Sequence, residues 1–315
     1  MAHSKRRRLS PLRHELDDLV RGVCGGFLFG VPLLYTVEVW WIGSSVSPAH
    51  LLAVLLTTLL VCYLFSRTAG FRKAQALRER VAVGDAIEAI AIGLVCAAVM
   101  LIILRQITFE TRFSEALGKV IFESVPFSLG VSLANQFLQS SDDQGSDSQN
   151  SDNQNSDGQN SGGSQTSQPE QASLSSRTEP KGNLNETVTD IGATLVGAII
   201  IAFSIAPTDE VSMLVAAVDG PWLLIMVIVS LVLSYGIVFQ ADFIRQGQRR
   251  SQQGLFQGPI SETAFAYLIS LLAAALMLGF FRKIDLGGPL ELAFRQVLIL
   301  GLPATIGGAA GRLAI

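Results

Sequence analysis

The residues of this chain with the clearest chemical potential are carboxylic acids embedded in long apolar runs. Glu123 stands in the run VIFESVPF, one helical turn after Lys119 and three residues before Pro126. A charge at a bilayer centre costs at least about 2.5 kcal/mol on insertion scales, so such a group needs a partner or a task. The self-contained solution is a Glu123–Lys119 ion pair on one helix face. The other is ion chemistry: an acid held roughly 12 Å inside a span can bind and release a proton or coordinate a cation. Asp85 and Glu88, three residues apart on one face, would extend such a path inward.

Other charges have local uses. Asp85 and Glu262, like Asp18 and Asp190, are expected at the inward starts of spans. There an acid meets free N–H groups and the positive end of the helix dipole, or lines an inner mouth. Glu115 with Lys119, and Glu291 with Arg295, are acid-then-cation pairs four residues apart near outer helix ends. They are expected to neutralise each other or to line a charged vestibule. Glu38 and Glu210 are expected at a solvated outer rim, Glu38 beside the interface anchors Trp40 and Trp41.

Enzyme chemistry finds no support. HExxH, P-loop, GxGxxG-after-strand and GxSxG patterns are absent, and His3, His14 and His50 lie in an amino-terminal arm or near an outer surface. Cys24, Cys62 and Cys96 have no metal-type spacing. No catalytic residue, metal or cofactor is expected, and no enzymatic activity.

The elements that must position these acids are membrane spans. About half of the 315 residues are hydrophobic, gathered in stretches of roughly 20, enough to cross a ~30 Å hydrocarbon layer. Eight spans are expected, at 19–41, 48–66, 85–105, 115–137, 188–207, 221–240, 262–281 and 290–312, giving an all-α polytopic membrane protein. With the amino terminus inside, Lys5–Arg8, Arg13 and Arg21, then Arg67, Arg72, Lys73, Arg78 and Arg80, then Arg245, Arg249 and Arg250 all fall inward. The outward loops hold Arg105, Arg112, Arg282 and Lys283. The asymmetry puts both termini in the cytoplasm of a cell with this protein in its cytoplasmic membrane. Residues 67–83, basic with interleaved apolar positions, are expected as a helix lying on anionic lipid.

The chain also reads as two copies. At an offset of 177, residues 94–107 and 271–284 agree at seven of fourteen positions, including Met100/Met277 and Arg105/Arg282, and the register continues to Pro126/Pro303 and Gly130/Gly307. Offsets of 172 and 173 align Asp18, Thr36 and Glu38 with Asp190, Thr208 and Glu210, and Pro48 with Pro221. Residues 1–138 and 187–315 are therefore expected as four-helix repeats; an even number of crossings makes them parallel. Glu123 and Glu88 break the symmetry, being replaced by Leu300 and Phe265. Between the halves, 139–186 is almost wholly polar, with the tandem SDSQN, SDNQN, SDGQN, and is expected as a disordered inner tether.

Gly22, Gly26 and Gly30 on the first span, and Gly307 and Gly311 on the last, have the spacing that lets helix backbones approach in lipid. Pro32, Pro126 and Pro303 are expected to kink their helices and free carbonyls one turn earlier, as hinges or as plain bends.

The segment GGFLFGVPLLYTVEVWW at 25–41 resembles an uncharacterised bacterial family of integral membrane proteins, a domain of unknown function, over both membrane halves. The resemblance implies a membrane protein and brings no activity or site. The leading expectation is a transporter or ion pathway using intramembrane carboxylates. The alternative is a non-transporting scaffold or sensor that binds a partner through its tether and basic loops. Expected contacts are the lipid bilayer, a proton or cation and a second copy in a homo-oligomer, with no nucleic acid.

Overall fold

The computed structural model describes residues 11–68, 75–151, 182–240, 259–284 and 288–313. It is all-helical over these residues. In chain order the helices are α1 (Pro11–Leu34), α2 (Val37–Ser45), α3 (Pro48–Thr68), α4 (Gln75–Ile103) and α5 (Phe113–Ser151). Then come α6 (Gly182–Ile205), α7 (Glu210–Ala217), α8 (Gly220–Tyr235), α9 (Pro259–Phe280) and α10 (Leu290–Leu313). A π-helical turn, Gly236–Gln240, extends α8.

Among the described residues, seven helical stretches are long and apolar enough to cross a bilayer: Pro48–Arg67, Ala82–Ile103, Phe113–Asn135, Val188–Ile205, Gly220–Phe239, Pro259–Phe280 and Leu290–Leu313. These match seven of the eight expected spans. The first, 19–41, is corrected: Asp18–Leu34 and Val37–Ser45 form a pair bent by 93°. Side chains make the break tolerable inside the protein. The Thr36 hydroxyl donates to the Leu33 carbonyl (2.8 Å), and the Trp40 indole N–H donates to that of Leu34 (3.0 Å). These helix-end carbonyls would otherwise lack partners. Residues 75–83, expected on the lipid surface, instead form the first turns of α4. The polar segment also begins as helix, α5 running to Ser151; the rest of the expected tether, 152–181, lies outside the described residues.

Each half packs around its last helix. α1, α2, α3 and α4 all lie against α5, and α6, α7, α8 and α9 all lie against α10. The halves meet where α1 touches α10 and the π-turn, and where α4 touches α8. α10 is buried without a break from Leu298 to Ala309, as suits a helix apolar or small on every side. Gly25 crosses Gly130 so closely that a Cβ on Gly25 would stand 2.7 Å from the Gly130 carbonyl oxygen; one on Gly307 would stand 2.5 Å from that of Gly197.

The ends of α4 and α9 also correspond. Arg105 and Arg282 both take left-handed backbone angles, φ 59° and 54°. In each case the following N–H reaches back five residues, Gln106 to Leu101 (2.8 Å) and Lys283 to Leu278 (2.9 Å). This is the Schellman closure, with arginine where glycine is usual.

Candidate functional site

Glu123 sits on α5 one turn above Phe127, on the side that faces α1 and α2. It is 1% exposed, and its Oε1 has no hydrogen-bond partner. The Trp40 indole N–H, the same group that donates to the Leu34 carbonyl, lies against this carboxyl. The acid is therefore lodged at the 93° break, beside the carbonyl end of α1. That end carries partial negative charge, which favours a proton or cation there.

The expected Glu123–Lys119 pair does not form. Lys119 binds Glu115 at 2.6 Å and the Gln106 carbonyl at 3.2 Å, turning toward the end of α5 where those groups lie. Nor do Asp85 and Glu88 join Glu123. Gly93 packs on Ser128, so in this antiparallel pair Glu88 lies about ten residues, roughly 15 Å, along the axis from Glu123. Glu88 is exposed and Asp85 half-buried.

The acids expected to cap helix starts fare differently. Glu262 lies in the first turn of α9, but Asp18, Asp85 and Asp190 stand two turns or more inside α1, α4 and α6. Asp18 pairs with Arg21 at 2.9 Å. Glu262 and Asp190 instead converge on Arg312 of α10: Glu262 forms an ion pair with it and Asp190 approaches to 4.0 Å. Arg312 is 2% exposed and stacks 6.0 Å from the Phe239 ring. Sequence reasoning passed over Arg312, although it is a cation in the last span with no acid at helical spacing.

At the rim, Glu38 is exposed as expected, and Glu291 binds Arg295 at 2.8 Å. Glu210 departs from expectation. It is 7% exposed, with a buried Oε2 lacking a partner, because α7 lies down on α10. Trp40 departs too: expected as an interface anchor, it is buried, whereas Trp41 is exposed.

The glycines and prolines hold helices together. Gly22 and Gly26 meet Val131, Gly30 meets the Phe127 ring, and Gly307 and Gly311 meet Gly197 and Ala193. Pro32, Pro126 and Pro303 lie within continuous helices. Pro303 has no N–H for the Ile299 carbonyl, and the Tyr35 hydroxyl from the other half donates to it at 2.8 Å. Among the described residues no three His, Cys, Asp or Glu side chains gather as a metal site.

Seven apolar helices and a bent eighth, with charged side chains held between them, define an integral membrane protein of several spans. The chain belongs to the family described as "Putative integral membrane protein (DUF2391)", a domain of unknown function, whose profile matches residues 18–315. No curated protein and no solved structure matches it.

Proposed function

We propose that the protein is an ion pathway of the cytoplasmic membrane, with Glu123 as the group at which a proton or cation pauses. The observation that carries this reading is the placement of Glu123: 1% exposed, one oxygen unpartnered, and no Lys119 to neutralise it. A carboxyl in such surroundings is costly to the fold, which is why groups of this kind mark ion paths in membranes. Its seat at a broken helix is the arrangement by which transporters bring polar backbone to a buried ion.

Two parallel four-helix repeats, with both termini in the cytoplasm, complete the proposal. Three correspondences support the duplication beyond the sequence register. The pair α1/α2 is followed in kind by α6/α7. Arg105 and Arg282 share an uncommon backbone conformation, and Gly25–Gly130 recurs as Gly197–Gly307. The orientation rests on the sorting of Lys and Arg along the chain.

The test is flux into proteoliposomes. Purified wild-type protein is expected to pass protons or monovalent cations under an imposed gradient, and Glu123→Gln to abolish that flux while keeping the fold. Flux from neither protein, across pH and potential, would return the weight to the scaffold alternative. Flux that ignores the substitution would remove Glu123 from the path.

A further inference from the structure

We infer that the ion taken up at Glu123 is a proton and not a metal cation. The inference rests on the reading of Glu123 as the ion-binding group and adds the chemical class of what binds.

A metal cation leaving water must recover its lost hydration from several oxygens at once; hard cations such as calcium take about six to eight. Broken helices supply such oxygens in transporters through unwound backbone carbonyls. Here three carbonyls of the break already accept hydrogen bonds. The Leu33 carbonyl accepts from the Thr36 hydroxyl, that of Leu34 from the Trp40 indole, and that of Thr36 from the Val39 N–H at 3.0 Å. The polar group nearest the carboxyl is the same Trp40 N–H, a donor with no lone pair to give. An N–H beside the seat, even one donating to the Leu34 carbonyl, presents positive charge that suits a carboxyl oxygen and disfavours a metal ion. Phe127, one turn away, is apolar and fully buried, and the adjacent Ser124 hydroxyl is spent on the Ile121 carbonyl at 2.8 Å. One unpartnered oxygen in such a seat is enough for a proton, which needs a single lone pair.

The other titratable groups on the surrounding helices are engaged or distant. Lys119 and Glu115 hold each other at 2.6 Å, and the Tyr35 hydroxyl is committed to the Ile299 carbonyl. Glu38 on α2 is exposed. The Cys62 thiol on α3 points to the Ser128 carbonyl at 3.8 Å, and the Cys24 thiol on α1 and the Cys96 thiol on α4 are buried. Asp85 and Glu88 lie toward the far end of α4. None of these supplies the second carboxylate that a cation cage would use.

The deciding experiment uses proteoliposomes of the full chain with a trapped pH dye, alongside uptake of radiolabelled sodium and rubidium. Wild type is expected to move protons at the same rate when all sodium and potassium is replaced by an impermeant organic cation. Sodium and rubidium uptake should stay at the level of empty liposomes, and Glu123→Gln should lose the proton flux. Glu123-dependent uptake of sodium or rubidium would overturn the inference and leave the ion-pathway reading standing. No flux of any ion would overturn both, and flux indifferent to Glu123→Gln would overturn the inference and remove Glu123 from the path. A second readout needs no transport: pH-difference infrared spectra of wild type should show the C=O stretch of a protonated carboxyl, absent in Glu123→Gln and indifferent to sodium and potassium. Displacement of that band by either metal ion would also overturn the inference.

Discussion

Arg105 and Arg282 end their helices in a backbone region where a Cβ is crowded by the following carbonyl. Arg105 has a use for its side chain, binding Asp219 at 2.8 Å and stacking 5.0 Å from the Trp222 ring. Arg282 is exposed, so the backbone term should dominate there. Arg282→Gly is expected to raise stability by about 1 kcal/mol, read as a higher unfolding midpoint in detergent, whereas Arg105→Gly should lose its bridge and gain little or nothing. Equal gains at both would refute the distinction. Asp209 nearby is fully exposed, and Lys283 at 2.8 Å holds its carboxyl below the usual aspartate value. A carboxyl so depressed adds stability above its unfolded pKa and loses it as pH falls through the folded one. Asp209→Asn should therefore lower the midpoint slightly at neutral pH, and the difference should fade as pH falls below the usual aspartate value. At this scale the sequence was generous with Glu123, which is conspicuous because it interrupts an apolar run. Its surroundings were hidden, since Trp40 reaches Glu123 through a bend at Tyr35–Thr36 that hydropathy cannot mark: both sides of it are apolar.

Helices here are fixed by two devices of different legibility. Small-residue spacing at Gly22, Gly26 and Gly30 was visible in the sequence, but spacing names a stripe and not the residue it meets. Among the close crossings are Gly43 with Gly118 and Gly25 with Gly130 before the polar segment, and Gly197 with Gly307 after it. A Cβ at any of them would push into partner backbone that cannot yield. Gly130→Leu and Gly307→Leu should thus cost stability or prevent purification, while Gly84→Ala, with open space around it, should be neutral or gain up to about 1 kcal/mol from helix propensity. The second device is Arg312, clasped by Glu262 and near Asp190 from two other helices. A lone arginine at a helix end gives no hint of its partners, which come from 50 and 122 residues away in the chain. Removing the nearest acid leaves a nearly buried cation behind, whereas removing the cation leaves acids that water can reach, about a third or more exposed. Glu262→Gln is accordingly expected to destabilise more than Arg312→Met, by something on the order of 3 kcal/mol against less. Thermal unfolding of the two variants settles the order, and the reverse order would mean that Arg312 acts through packing.

Over the described residues, the helices before and after the polar segment pack mainly among themselves, with a slighter seam between the two groups. The helical class and seven of the spans could be read directly, because apolar length survives in one dimension. The seam could not, since neither half announces which of its faces meets the other. Among the described residues it is stitched by two hydrogen bonds to backbone, one exposed ion pair and the stacking of Arg105 on the Trp222 ring. Tyr35 donates to the Ile299 carbonyl, Trp222 donates to that of Ile103 at 2.6 Å, and Arg105 binds Asp219. These stitches differ in worth for a physical reason. The Arg105–Asp219 pair is open to solvent, with Asp219 75% exposed, so screening should hold it below about 1 kcal/mol. The Ile299 carbonyl is buried and was deprived of its helical donor by Pro303, so without Tyr35 it is left unsatisfied. Interhelical hydrogen bonds in membranes are worth about 0.6 to 1.7 kcal/mol, and loss of this one should fall toward the upper end. The halves can be separated for measurement by a protease site placed in 152–181. After cleavage the wild-type halves should co-purify in mild detergent. Tyr35→Phe, which keeps the ring and removes only the donor, should let them part at lower detergent or temperature than Asp219→Asn does. If Asp219→Asn parts them first, the exposed stitch is the stronger, and the proline-freed carbonyl must find another donor when the tyrosine hydroxyl is gone.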